Sequence, residues 1–252
     1  FAGAGRDAVG RIFSIKLDGA NPSKATSEIS PILFDSGNFG MFDESGVNPG
    51  TVLLLNEVEL LYYFGYQRTL NLPYTAFIGL AHRKNNKFER ISTVPLIDRT
   101  HDEPTLRSSP CVLKIKNEWY MWYVSAIQWN TREVGIHQNK MYPFYGIKVA
   151  KSHDGLTWNL ETTWCLKPNS QMDEFGLARP WIFSRNGVLQ MIFSVRSDRK
   201  PYYLCRAISE DGLMWERIED DALPKASGYG WDSEAVCYAS IASTQSNTYM
   251  FY

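Results

Sequence analysis

The segments Ser152-His-Asp-Gly-Leu-Thr-Trp158 and Ser209-Glu-Asp-Gly-Leu-Met-Trp215 share the pattern S-x-D-G-L-x-W, and their tryptophans lie 57 residues apart. Recurrence at such a period marks a chain built from copies of one supersecondary unit. Each copy follows a strand-like run, Tyr145–Ala150 or Tyr203–Ile208, and leads into another that starts at Trp158 or Trp215. Asp-Gly between two such runs predicts a tight hairpin, because glycine accepts positive φ at no steric cost. A degenerate copy lies at 81–91, with Phe88 in the Trp place and Asn85-Asn86 at the turn.

Two more elements recur before each hairpin. One is an aromatic strand: Leu60–Tyr66, Trp119–Ala126, Val188–Arg196 and Thr248–Tyr252. The other precedes it and carries Pro49, Pro110, Pro180 or Ala239, anchors spaced 61, 70 and 59 residues apart. Proline at the start of a strand removes no ladder hydrogen bond. The unit is therefore an inner strand, an aromatic strand, a hairpin and an outer strand, which is the arithmetic of a propeller blade. Three units are nearly complete, a fourth begins at Trp231 and stops at Tyr252, and 6–17 reads as the later part of another. The expected fold is all-β, a five-bladed β-propeller of four-stranded antiparallel blades. Residues 1–252 are expected to form one propeller domain, incomplete at both ends.

With 26 basic and 27 acidic residues and no run of like charge, the chain lacks the electrostatic footprint of a nucleic-acid binder. No apolar stretch reaches membrane-spanning length, so neither nucleic acid nor membrane is an expected partner, and oligomeric state is left open. Cys111, Cys165, Cys205 and Cys237 have no metal-type spacing, and unpaired thiols suit a reducing compartment such as the cytoplasm. His82, His101, His137 and His153 share no spacing either, so no metal or other cofactor is expected.

The ordered set 5–11, 42–49, 108–114, 119–125, 178–180 and 230–234 resembles the five-bladed propeller superfamily of glycoside hydrolase families 32, 43 and 68, and most of all an uncharacterised family 32-like branch. The resemblance implies a carbohydrate ligand in a funnel lined by the inner strands, with the working carboxylates on those strands. At the three positions it designates, this chain has Asn48, Ser109 and Ala178. An amide, a hydroxyl and a methyl cannot replace the acid and the nucleophile or base of glycoside hydrolysis.

Carboxylates do recur just upstream of each inner strand: Asp43 and Glu44, Asp102 and Glu103, Asp173 and Glu174, Asp232 and Glu234. A relocated catalytic set is expected from Asp43, Glu234 and Glu174. Arg107 and Arg179 are expected at the same mouth, Arg179 as a fork for a carboxylate or phosphate. Arg196 and Trp129 follow aromatic strands, Trp129 as a sugar platform. Asp232 and Asp7, in the comparable place of the first fragment, complete the expected binding set. The leading expectation is an enzyme acting on a glycosidic bond. The alternatives are a carbohydrate-binding propeller without catalysis and a protein-interaction scaffold.

Overall fold

Three of the four aromatic runs, Leu60–Tyr66, Trp119–Ala126 and Val188–Arg196, are buried along most of their length, whereas Thr248–Tyr252 is half-buried to exposed. The computed structural model describes residues 1–131, 140–244 and 247–252. Its strands in chain order are β1 (Ala2–Ala4), β2 (Gly10–Ile12), β3 (Gly46–Leu55), β4 (Val58–Gln67), β5 (Thr75–Lys84), β6 (Lys87–Arg90), β7 (Arg107–Ile115), β8 (Glu118–Thr131), β9 (Met141–Ser152), β10 (Asn159–Leu166), β11 (Glu174–Arg185), β12 (Val188–Ser197), β13 (Tyr203–Ser209), β14 (Glu216–Ile218), β15 (Ser240–Ser243) and β16 (Thr248–Phe251). Among the described residues the only helical pieces are two 3-10 turns, at Ser170–Met172 and Gly230–Asp232. The chain is thus all-β, and the repeat of inner, aromatic, hairpin and outer strand is present in β3–β6, β7–β10 and β11–β14. Runs such as Leu60–Tyr63 or Leu189–Val195 bury every residue because both faces of their sheets are covered.

Two compact units are distinguished. The first comprises Phe1–Pro110 and Ser243–Tyr249. Its sheet runs β1-β2-β3-β4-β5-β6. The meander β3–β6 is antiparallel, with Pro49 opposite Tyr63 and Lys84 opposite Lys87 across the Asn85-Asn86 turn. Asn85 has φ +54°, a conformation asparagine tolerates. Phe34, Phe42, Val47, Leu61, Tyr63, Phe77 and Phe88 belong to its core.

The second unit comprises Cys111–Ala242 and Met250–Tyr252. In it β8–β10 and β11–β14 are antiparallel meanders, joined by one parallel pair, Gly176 opposite Tyr145. The same kind of joint occurs in the first unit, where Gly10 faces Gly46 and Ala76 faces Leu106 in parallel. The approach is so close that a Cβ on Gly176 would sit 2.3 Å from Cζ of Tyr145, so glycine is required there. Trp122, Ile147, Leu177, Met191, Phe193, Val195 and Trp215 pack the main core. None of the four cysteines is in a disulfide, and burial pushes the Cys165 thiol up to about 12.

The two S-x-D-G hairpins are closed by their own side chains. Oδ1 of Asp154 accepts from the N–H groups of Leu156 and Thr157, both at 2.7 Å, and from the Ser152 hydroxyl at 2.8 Å. Asp211 repeats this with Leu213, Met214 and Ser209. These donors, the backbone N–H of Thr157 first, lower the Asp154 carboxyl from its ordinary 3.8 to about 2, and Asp211 is lowered in the same way. A folded value below the unfolded one means stability that is complete above pH 3.8 and is lost as pH falls toward about 2. Acid titration followed by circular dichroism is expected to show that loss, and Asp154→Asn to shrink it. An unchanged acid limb in the variant rules the hairpin out as its source.

Candidate functional site

The three positions designated by the resemblance lie on the inner strands as expected: Asn48 on β3, Ser109 on β7 and Ala178 on β11. What the sequence did not reveal is the backbone beside them. The residue immediately before each of the last three anchors is left-handed: Ser109 at φ +54°, Arg179 at φ +51° and Tyr238 at φ +62°. A side chain in this region costs on the order of 1–2 kcal/mol. For Ser109 and Arg179 the following proline disfavours helical backbone further. The ladder of β11 with β12 is interrupted between Ala178 and Trp181, so Arg179 stands at a bulge.

In the second unit this bulge places Arg179 within an aromatic cluster. Its guanidinium lies 5.6 Å from the centre of the Tyr238 ring. Tyr238 meets Tyr202 edge to face at 5.3 Å. Arg196 of β12 lies over Tyr202 at 5.3 Å, Phe175 at 5.0 Å and Tyr142 at 4.3 Å. Two cations thus converge on one tyrosine pair. Desolvation lowers the pKa of Arg179 and raises those of Tyr202 and Tyr238, so both hydroxyls stay protonated donors. The place of Tyr238 directly before the anchor Ala239, matching that of Arg179 before Pro180, was the available sequence signal for it.

Asp43 and Glu174 have a different environment. Buried Asp43 accepts on Oδ2 from Arg90 Nε at 2.7 Å and from the Tyr63 hydroxyl at 3.0 Å. Buried Glu174 takes a two-pronged pair from Arg217, both contacts 2.9 Å, together with the Tyr203 hydroxyl at 3.0 Å and the Asn169 N–H at 2.8 Å. Tyr63 and Tyr203 are raised by burial and by the adjoining carboxylate. Arg90 is on β6 and Arg217 on β14, so Arg217 ties the outermost strand of its meander to the first residue of the innermost one, and Arg90 ties its strand to the turn just before β3. The signal was present in the repeat. An acid stands six residues before Pro49 and Pro180, and an arginine two after Phe88 and Trp215; the middle copy has neither, with Pro104 and Leu160 at those places.

Glu234 is exposed and lines an open cavity of about 290 Å³ in the second unit, together with Lys200, Tyr202, Tyr203, Asp220 and Lys225. Asp220 is paired with Arg206 at 2.7 Å, which lowers its pKa, and Lys200 sits 3.7 Å above the Tyr203 ring. Asp232 accepts the Ser227 hydroxyl at 2.6 Å and so braces its own loop. Half-buried Trp129 pairs with Pro143 across β8 and β9. In the first unit, fully buried Arg107 donates to Glu103 at 2.9 Å, to Thr100 Oγ1 at 2.8 Å and to the Asp98 carbonyl, an internal brace instead of an open mouth. Asp7 is exposed and held down at about 2 by hydrogen bonding from Arg11. The structure therefore brings Arg179 and Arg196 together through Tyr202 and Tyr238, and Glu234 shares the cavity wall with that same Tyr202. Asp43, Arg107 and Asp7 each belong to a separate pair in the first unit. His137 lies outside the described residues. Among the described residues no three His, Cys, Asp or Glu side chains gather to hold a metal ion, and no helix is long and apolar enough to cross a membrane.

No family model matches the chain. The uncharacterized protein Rv1502 of Mycobacterium tuberculosis is 29% identical over 254 residues, which is 99% of this chain and 81% of the relative. Among solved structures, the family 32 β-fructofuranosidase of Bombyx mori, in complex with sucrose, superposes with a TM-score of 0.62 at 15% identity over 88% of this chain. The chain spans 44% of that enzyme's length. A thermostable family-43 glycoside hydrolase gives a TM-score of 0.62 at 19% identity over 88% of this chain and 70% of its own. An α-L-arabinofuranosidase from Lactobacillus brevis gives 0.62 at 10% over 85% and 66%. Likeness at such low identity speaks for architecture alone, and the architecture is plain: this chain has the β-propeller fold of the glycoside hydrolases of families 32 and 43.

Proposed function

We propose that the chain binds a carbohydrate on its glycosidase-type propeller without performing two-carboxylate hydrolysis. The observation that carries this reading is the engagement of the carboxylates nearest the inner strands. Hydrolysis needs one carboxyl free to give a proton and another free to attack or to activate water. Glu174 accepts four hydrogen bonds, two of them from one guanidinium, and Asp43 is buried against Arg90 and Tyr63. Neither reaches a sugar without dismantling a buried ion pair. Aromatic and arginine side chains, which stack on sugar rings and grip their oxygens, are present instead.

A second reading, hydrolysis at Glu234, is favoured by the exposure of that carboxylate beside Asp220 in one cavity. One experiment separates the two. Calorimetry with a panel of neutral and acidic sugars is run beside chromogenic furanosides and pyranosides. Binding heat without chromophore release is the expected result. Release that falls about 100-fold or more in Glu234→Gln, within the range of general acid–base contributions, overturns the proposal and installs the second reading.

A further inference from the structure

We infer that the loop 227–233 is a stacking platform for a sugar ring, with the indole of Trp231 as its face, and that the ligand is an oligosaccharide longer than one ring. The inference rests on the carbohydrate reading and names the ligand's class and one of its contacts. Exposure, rigidity and place in the fold each support it.

Seven of the eight tryptophans are buried or half-buried, whereas Trp231 is 80% exposed and Tyr229, two residues before it, 79%. A lone exposed aliphatic needs no explanation, but large aromatic faces left together in water mark a binding surface. The Trp231 ring is stacked on that of Tyr252 at 5.4 Å, with 28° between the planes. Tyr252 backs one face of the indole, and the exposure leaves the other face open.

The loop that carries these rings is closed on itself. The Ser227 N–H donates to the Asp232 carbonyl at 3.2 Å, and the Ser227 hydroxyl donates to Asp232 Oδ1 at 2.6 Å and accepts from the Tyr229 N–H at 3.2 Å. Gly228 and Gly230 turn the chain on either side of Tyr229 at φ +78° and +71°. A Cβ on either would meet nothing, so glycine serves the backbone there and not the packing. Aromatics presented from a braced loop lose little freedom when a ligand arrives.

Lys225 and Ala226 precede this loop and Glu234 follows it, and all three line the open cavity of about 290 Å³. The loop thus leaves the cavity wall and returns to it. Trp231 is three Cα steps from Glu234, at most about 11 Å, which a sugar chain of a few rings covers and a single ring does not. Flat aromatic faces suit the C–H side of a sugar ring, and the neighbouring Lys225, Ser233 and Glu234 side chains offer hydrogen bonds to its hydroxyls. A protein partner would need about 800 Å² on each side with an apolar centre, and Tyr229 and Trp231 are the only large apolar side chains from 225 to 234.

The test is calorimetric titration with D-glucose, D-fructose and L-arabinose, beside the di-, tri- and pentasaccharides of the malto-, cello-, inulo- and arabino-series. In at least one series the trisaccharide is expected to bind about tenfold or more tightly than its monosaccharide. Trp231→Ala is expected to abolish that gain, and Trp231→Phe, which keeps a ring, to restore part of it. The same trisaccharide is expected to protect the protein's tryptophan emission from quenching by iodide, which reaches exposed indoles first. Should Trp231→Ala fail to fold by circular dichroism, this protection in the unaltered protein still decides. Affinity that does not grow with length, a gain that survives in Trp231→Ala, or iodide quenching unchanged by the bound trisaccharide overturns the inference and leaves the carbohydrate reading standing. Self-association in sedimentation that Trp231→Ala abolishes, with no protection by any sugar, assigns the platform to a second copy of the chain and likewise overturns it. Binding of no sugar in the panel sinks both.

Discussion

Arg217→Met is expected to lower stability by about 3 kcal/mol or more, because it strands a buried carboxylate. The Glu174 side chain is fully enclosed, and without the guanidinium it keeps only the Tyr203 hydroxyl and the Asn169 N–H. Adding Glu174→Gln to the variant removes the orphaned charge, so the double variant is expected to be more stable than Arg217→Met alone. That inversion is the signature of a buried pair whose value is mutual, and equilibrium urea denaturation of the two singles and the double reads it directly. Arg90→Met is expected to behave alike, since Asp43 is enclosed in the same way. If Arg217→Met shifts stability by less than about 0.5 kcal/mol, the range of ordinary surface substitutions, the pair is not a strut and Glu174 is released for another role.

The contrast between what the sequence announced and what it withheld follows the distance over which each feature acts. Ser152, Asp154 and Gly155 close their turn within three residues, so the hairpin was readable from a short window. The second strands were readable because burial on both faces forces an unbroken apolar and aromatic run, as in Leu60–Tyr63. The partners of the recurrent acids were not, since Arg90 is 47 residues from Asp43 and Arg217 is 43 from Glu174. An acid before an inner strand therefore looked available for chemistry when a tyrosine and an arginine were already committed to it. The arginine–tyrosine cluster was half legible. Arg179 and Arg196 stood out by their place in the repeat, whereas Tyr238, marked only by its place before the changed anchor Ala239, did not. The left-handed backbone at Ser109, Arg179 and Tyr238 has no single-residue signature at all, because neither glycine nor asparagine marks it.

Trp122→Ala is expected to destabilise the protein by about 3–5 kcal/mol, and Trp122→Phe by less than half of that. Trp122 is fully buried, stacked on Tyr120 at 5.6 Å and edge-on to Trp215 at 6.0 Å, so removing the ring leaves a large void in the core of the second unit. The indole also has a polar task. Its N–H donates to the Gly212 carbonyl at 2.8 Å, and the Trp215 N–H donates to that same oxygen at 3.0 Å. A carbonyl has two lone pairs, and here both are used, one by the tryptophan of its own hairpin and one by a strand 90 residues earlier. Phenylalanine refills most of the volume but abandons one of these bonds, at a cost of roughly 1 kcal/mol. Gly212 cannot adapt to help, since it holds φ +77° and a Cβ there would meet Trp122 at 2.9 Å. Denaturation midpoints for the two variants separate packing from hydrogen bonding; equal losses would mean that the bond to Gly212 dominates. In this hairpin the glycine and tryptophan thus do more than turn the chain: Gly212 presents a carbonyl to which both Trp215 and a distant aromatic strand are fastened.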